Sequence, residues 1–317
     1  MILVILPIKS SEERMKIGYL CKDCPRACGA WRDETSGNGF CGCAALPSLV
    51  RAAPHFGEEP CISGTKGSGT VFFSGCNLKC VFCQNHEISR GSTGTRVTVD
   101  GLREILLRLR DKGVHNINLV TPTHYIRIIA QALDGLDLGI PVVWNSSGYE
   151  TVEMLRMLEG LVQIYLPDLK YTRSDLAKRY SAAPDYFTFA SAAISEMFRQ
   201  TGPYRLDKDG LLLSGVLIRH LILPGSEEAS MDVIDYVADT FPQNSVLFSL
   251  MSQYTPMPDS TRFPELCRTV SAESNELLCH YMKIRKIENG YWQEPASATE
   301  EMIPAFDGTG IESMILY

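Results

Sequence analysis

TVFFSGCNLKCVFCQN, residues 70–85, places an apolar run (70–74) directly before three cysteines in a C-x3-C-x2-C loop, Cys76, Cys80 and Cys83. The run has the length and composition of a buried strand. After the loop, Leu102, Ile105, Leu106 and Leu109 fall on one helical face, with Asp100 as the expected cap, completing one βα unit. The pattern then recurs. A strand at 117–120 leads to a helix at 124–136, a strand at 141–144 to a helix at 151–158, and a strand at 163–166 to a helical excursion at 173–200. A strand at 214–223 precedes a helix face of Met231, Ile234, Val237 and Phe241; a strand at 246–251 and a helix at 264–286 follow. Roughly six such repeats with near-continuous apolar strands predict an α/β fold, a parallel sheet covered on both faces and rolled into an open or closed barrel. A doubly wound sheet is the alternative, because periodicity does not give strand order. In a parallel barrel, chemistry belongs in the loops after the strands, which is where the three cysteines fall.

The rest of the composition is ordinary. The 317 residues are 45% hydrophobic and 21% charged, with a formal net charge of -7, as expected of a globular chain with a large core. Thirty Lys and Arg against 37 Asp and Glu argue against nucleic acid or an anionic membrane as a partner. The apolar stretch 1–8 is too short to span a bilayer and lacks a basic flank and a cleavage site, so a cytoplasmic protein is expected, with Met15 as an alternative start. In a reducing compartment clustered thiols bind metal more readily than they form disulfides.

Of eleven cysteines, nine lie between positions 21 and 83. This asymmetry divides the chain into a cysteine-rich metal-binding segment, 1–62, and a barrel, 63–317. Cys21, Cys24, Cys28 and Cys41 supply four thiolates with a C-x2-C start, which suits a second metal, either tetrahedral zinc or an auxiliary iron–sulfur cluster; Cys43 is an alternative fourth ligand and free thiols are the other reading. Cys76, Cys80 and Cys83 suit a [4Fe-4S] cubane with one iron left open, hence a place for a substrate or cofactor to bind. A zinc site completed by His86 is the alternative.

C-x3-C-x-aromatic-C after the first barrel strand resembles the radical S-adenosyl-L-methionine (SAM) superfamily, and Cys83-Gln84-Asn85 extends the likeness toward the pyruvate formate-lyase activating enzymes. HFGEEP (55–60), GSGTVFFSGCNLKC (67–80), NINLVTPTHY (116–125), IYLPDLKY (164–171), RHLILPG (219–225) and LMSQYTP (250–256) resemble the activating-enzyme-like group. The resemblance implies a partial (β/α)6 TIM-like barrel and a cluster whose open iron is chelated by SAM. It also implies reduction by a flavodoxin or ferredoxin, and cleavage to methionine and a 5′-deoxyadenosyl radical that abstracts hydrogen, in that group from a glycyl radical enzyme. By the same resemblance Phe82 packs on the adenine, Asn85 belongs to the cofactor site, and Thr121 and Thr123 stand where a Gly-Gly-Glu stretch takes the SAM amino group. Asn145 and Ser146 replace an Asp-Thr pair, so a monovalent-cation site shared with Asp168 loses one charge. Asp168 and Lys170 are expected at SAM, Arg219 at the reaction centre, and Gln253 or Tyr254 at the ribose. A non-catalytic metal-binding scaffold, or a different small-molecule or peptide substrate, is the competing reading.

Overall fold

A computed structural model describes residues 18–91, 93–293 and 304–311; the apolar stretch 1–8 and Met15 lie outside them. Ahead of the barrel come β1 (Gly18–Leu20), β2 (Trp31–Asp33), β3 (Ser48–His55) and α1 (Pro60–Ser63). The barrel proper runs through β4 (Ser68–Phe73), α2 (His86–Ser89), β5 (Thr95–Arg96), α3 (Val99–Asp111), β6 (Ile117–Val120), α4 (Ile126–Leu133), β7 (Val142–Ser146), α5 (Val152–Leu155) and β8 (Ile164–Pro167). It continues with α6 (Ser174–Ser181), α7 (Tyr186–Thr201), β9 (Arg205–Leu206), β10 (Leu212–Leu221), α8 (Glu227–Thr240), β11 (Leu247–Met251), α9 (Ala272–Ile284) and β12 (Gly290–Trp292).

Strands β4, β6, β7, β8, β10, β11 and β12 pair in that order and all in parallel. An order that never reverses rules out the doubly wound alternative and makes an α/β partial barrel. The barrel does not close, since β12 and β5 end the sheet. Alternation along each strand sorts the side chains. Leu119, Trp144, Tyr165, Ile218 and Phe248 face outward into the core beneath the helices. Val143, Ile164, Leu166, Leu217 and Leu247 face inward around Cys61 and Ile62 of α1, which plugs the barrel. Asn116 Nδ2 donates to the Ile62 carbonyl at 2.7 Å, anchoring the plug. Burying a side chain such as Ile62 contributes about 1.5–3 kcal/mol.

Several expected boundaries move. Thr98, not Asp100, caps α3, accepting from the Gly101 amide. The excursion at 173–200 is two helices, α6 and α7, and the final helix starts only at Ala272, after 3-10 turns at Pro258–Arg262 and Pro264–Leu266. β3, within the segment expected to stand apart, pairs antiparallel with β4 and joins the main sheet. Among the described residues no helix is long and apolar enough to cross a membrane.

The other side of β3 carries residues 304–311. The Ala52 amide donates to the Thr309 carbonyl at 2.9 Å and the Gly308 amide to Val50 at 3.0 Å, while Phe306 packs edge-on against Phe72. Gly310 is left-handed (φ 83°), and a Cβ there would lie 1.9 Å from the Ala52 carbonyl oxygen. Gly310→Val is therefore expected to cost this strap about 1–3 kcal/mol of local stability, read by hydrogen exchange as lost protection of the Ala52 amide. Unchanged protection would mean that the strap does not depend on the close approach.

Candidate active site

The loop after β4 is shaped by its surroundings. Lys79 sits in the left-handed region (φ 53°), turning the chain between Cys76 and Cys80 at a cost of roughly 1–2 kcal/mol. Gly75 (φ 83°) admits the N-terminal segment, for a Cβ there would lie 2.1 Å from Cys43 Sγ. The Leu78 amide donates to Cys76 Sγ at 3.3 Å. Cys76, Cys80 and Cys83 are free thiols that line one cavity of about 220 Å³ at the C-terminal mouth of the barrel. Burial, then repulsion from Cys76 and Cys80, pushes the Cys83 thiol up to about 12. Burial likewise raises Cys80. Thiols so crowded and dry become thiolates only when a cation holds them.

The floor of the cavity is ionic. Lys170 Nζ lies 2.6 Å from Asp168 Oδ2, and Arg219 Nε lies 3.1 Å from Asp168 Oδ1. Burial opposes the Asp168 charge, but Lys170 and Arg219 outweigh it and hold the carboxyl below its ordinary range. Burial also works against the Lys170 and Arg219 charges; Asp168 reverses it and raises both. Arg219 additionally donates to Glu58 Oε2 at 3.1 Å and to Asn145 Oδ1 at 2.5 Å. The guanidinium therefore bridges Asn145 and Asp168, the two positions at which the resemblance sets a monovalent-cation site with one charge lost.

Phe82, Asn85, Thr121, Asn145, Ser146 and Gln253 also line the cavity. Phe82 is at the same time core, edge-on to Tyr171 and Tyr180. Thr121 is left-handed (φ 58°), and the Gln253 Oε1 atom is buried without a partner. Two expected residues are elsewhere. Tyr254 is buried with its hydroxyl donating to the Leu266 carbonyl, and Thr123 donates to Glu150 Oε1 at 3.0 Å behind the cavity wall. Strand alternation explains the first: Ser249, Met251 and Gln253 share a parity that turns Tyr254 away.

Glu58 was missed as a site residue. Its Oε1 accepts from Asn118 at 2.9 Å and from Asn145 at 3.1 Å, joining β6 and β7 to Arg219 on β10. The only signal was its place in HFGEEP (55–60). Glu150 was missed as well; 1% exposed, it accepts from Trp144, Thr123 and Ser146 and binds the loops after β6 and β7 together. Burial raises its carboxyl above the ordinary range. His124 accepts no catalytic role: its ring meets the Ser74 carbonyl at 2.8 Å, and burial pushes it down to about 3.

The second metal expected at Cys21, Cys24, Cys28 and Cys41 finds no support. Among the described residues, no three His, Cys, Asp or Glu side chains converge to hold a metal ion, and Cys28 is exposed. Cys21 instead accepts from Arg32, which is 1% exposed and donates also to the His124 carbonyl. A hydrogen bond from Cys43 lowers the Cys41 thiol, and Arg32 adds to the effect against burial. The same finding speaks against a single zinc ion at Cys76, Cys80, Cys83 and His86.

Comparison with known proteins places residues 70–188 in the radical SAM superfamily. The uncharacterized protein MJ0674 of Methanocaldococcus jannaschii is 30% identical over 234 residues, 70% of this chain and 63% of that protein, so the chain spans less than two thirds of its relative. Among solved structures, Streptococcus suis SuiB is similar over 69% of this chain and 47% of its own, at 16% identity and a TM-score of 0.45. Methylornithine synthase PylB is similar over 71% and 70%, at 13% identity and a TM-score of 0.44. The superfamily implies a [4Fe-4S] cluster and SAM. The residues lining the cavity fit both: three free soft thiols edge it, and it also offers a carboxylate, an ammonium and the unpartnered Gln253 oxygen.

Proposed function

We propose that the chain is a radical SAM enzyme that cleaves SAM reductively at a [4Fe-4S] cluster held by Cys76, Cys80 and Cys83 and takes hydrogen from a substrate through the 5′-deoxyadenosyl radical. One observation carries this reading: the three free thiols line the same cavity, at the C-terminal mouth of a parallel barrel, as the Asp168–Lys170–Arg219 ion network. The cluster, when bound, supplies the electron and the open coordination position. Cys76, Cys80 and Cys83 would hold the cluster, leaving one position for the ligand. Asp168 would accept from the SAM ammonium and Lys170 would donate to its carboxylate, each held ionised by its neighbour. Phe82 offers a ring to the adenine, and Thr121, Ser146, Asn85 and Gln253 offer hydrogen bonds to the rest. Arg219 is fully engaged by Glu58, Asn145 and Asp168, so it orients Asp168 and contributes positive potential rather than moving a proton.

The electron donor is a flavodoxin or ferredoxin and the setting cytoplasmic, within the same proposal. For the hydrogen source there are two classes. The Cys83-Gln84-Asn85 stretch favours the glycine of a partner glycyl radical enzyme. Asn145 in place of a carboxylate and Thr121-Pro122-Thr123 in place of Gly-Gly-Glu favour a different small molecule or peptide. Anaerobic reconstitution with iron and sulfide, followed by SAM and dithionite, is expected to release 5′-deoxyadenosine. No release from protein with a full cluster would sink the reading and leave a metal-binding scaffold.

A further inference from the structure

Cys80 has a hydrogen-bond donor that no motif announces. The Ser181 hydroxyl, at the last residue of α6, donates to Cys80 Sγ at 3.0 Å. A second hydroxyl, Tyr171, lies 2.8 Å from Ser181 Oγ. Ser181 has one proton and spends it on the sulfur, so the tyrosine proton points to Ser181. Both residues are buried, at 3% and 2% exposure, and water does not compete for these bonds. The contact is also held from outside. Arg26 donates to the carbonyls of Ser181 at 2.8 Å and of Asn77 at 2.9 Å, and the Val81 amide donates to the Tyr180 carbonyl at 2.9 Å. The end of α6 is thereby tied to the cysteine loop on both sides of Cys80, 101 residues away in sequence.

We infer that Ser181, backed by Tyr171, is a positioning residue that sets the reduction potential of the cluster at Cys76, Cys80 and Cys83. The inference rests on the radical SAM reading above. Reduction adds one electron, drawn from a flavodoxin, a ferredoxin or dithionite, and part of the added negative charge resides on the ligand sulfurs. A hydroxyl aimed at one of them stabilises the reduced state more than the oxidised state and raises the potential. No bond is made or broken at Ser181, which keeps its proton throughout. The buried Tyr171 hydroxyl polarises the serine and prevents it from turning away from the sulfur.

The test uses the full chain reconstituted anaerobically as wild type, Ser181→Ala, Ser181→Thr and Tyr171→Phe. Iron and sulfide per chain are measured, and the midpoint potential is followed by electron paramagnetic resonance during dithionite titration without SAM, so that turnover plays no part. The expected result is equal iron content, a more negative potential in Ser181→Ala, a smaller shift of the same sign in Tyr171→Phe, and a potential near wild type in Ser181→Thr. Should Ser181→Ala fail to load, Tyr171→Phe still decides by the sign of its shift. Loaded variants at the wild-type potential would overturn the inference. A wild type that takes up no iron would overturn instead the radical SAM reading beneath it.

Discussion

Cys80→Ala is expected to reduce 5′-deoxyadenosine release to background and to prevent assembly of a full four-iron cluster. The cysteine lines the cavity between Cys76 and Cys83, and no other free thiol among the cavity-lining residues replaces it. A cubane deprived of one of three protein ligands has two corners exposed rather than one. The fold should survive, since removing one buried sulfur atom costs about 1 kcal/mol, a typical single-substitution effect. Thermal unfolding of the metal-free variant is therefore expected to stay close to that of the metal-free wild type. Iron analysis, electron paramagnetic resonance and chromatographic detection of 5′-deoxyadenosine together make the measurement. A Cys80→Ala protein that holds four irons and releases 5′-deoxyadenosine would show that the cluster lies elsewhere.

Arg219→Met has the largest expected effect on stability. Glu58 loses its cationic partner, Asn145 loses a donor, and Asp168 keeps only Lys170. Leaving buried carboxylates without their partner typically costs about 3–5 kcal/mol. The pH dependence has a definite sign. In the wild type the Asp168 carboxyl is held below its ordinary value, so its contribution is present above the unfolded pKa, about 3.9, and is lost only as pH falls through the lower folded value. Without Arg219 the Asp168 carboxyl binds its proton more readily in the folded state. The penalty is then greatest at neutral pH and shrinks as pH falls to about 3.9. Urea unfolding of the metal-free proteins at both values measures it, and an equal penalty at both would exclude an ionic origin.

How far the site could be read in advance depended on the range of the interaction. The three cysteines were legible because their spacing is local and their place after the first apolar strand follows from the βα repeat. Asp168 and Lys170 were legible through the Asp-Leu-Lys stretch at the end of a strand. Alternation would have chosen Gln253 over Tyr254 had the inward face of β11 been known, but that face is set by packing against α1. Glu58 was not legible, for its partners Asn118, Asn145 and Arg219 lie 60, 87 and 161 residues away. The N-terminal cysteines show a spacing without a matching site: a metal-like pattern is present, yet among the described residues no metal-holding group forms there, and Cys21 accepts from the Arg32 guanidinium.

The amino-acid sequence by itself determined the α/β class, the recurrence of the βα unit and the thiol triad, because period, run length and spacing are carried by neighbouring residues and by covalent geometry. Tertiary structure alone decided the strand order, the plug formed by α1, the Glu58–Arg219–Asp168 network and the Ser181 hydroxyl on Cys80. Each of these joins groups tens to more than a hundred residues apart, and such pairings exist only once the barrel has buried its apolar faces and excluded the water that would otherwise satisfy those charges.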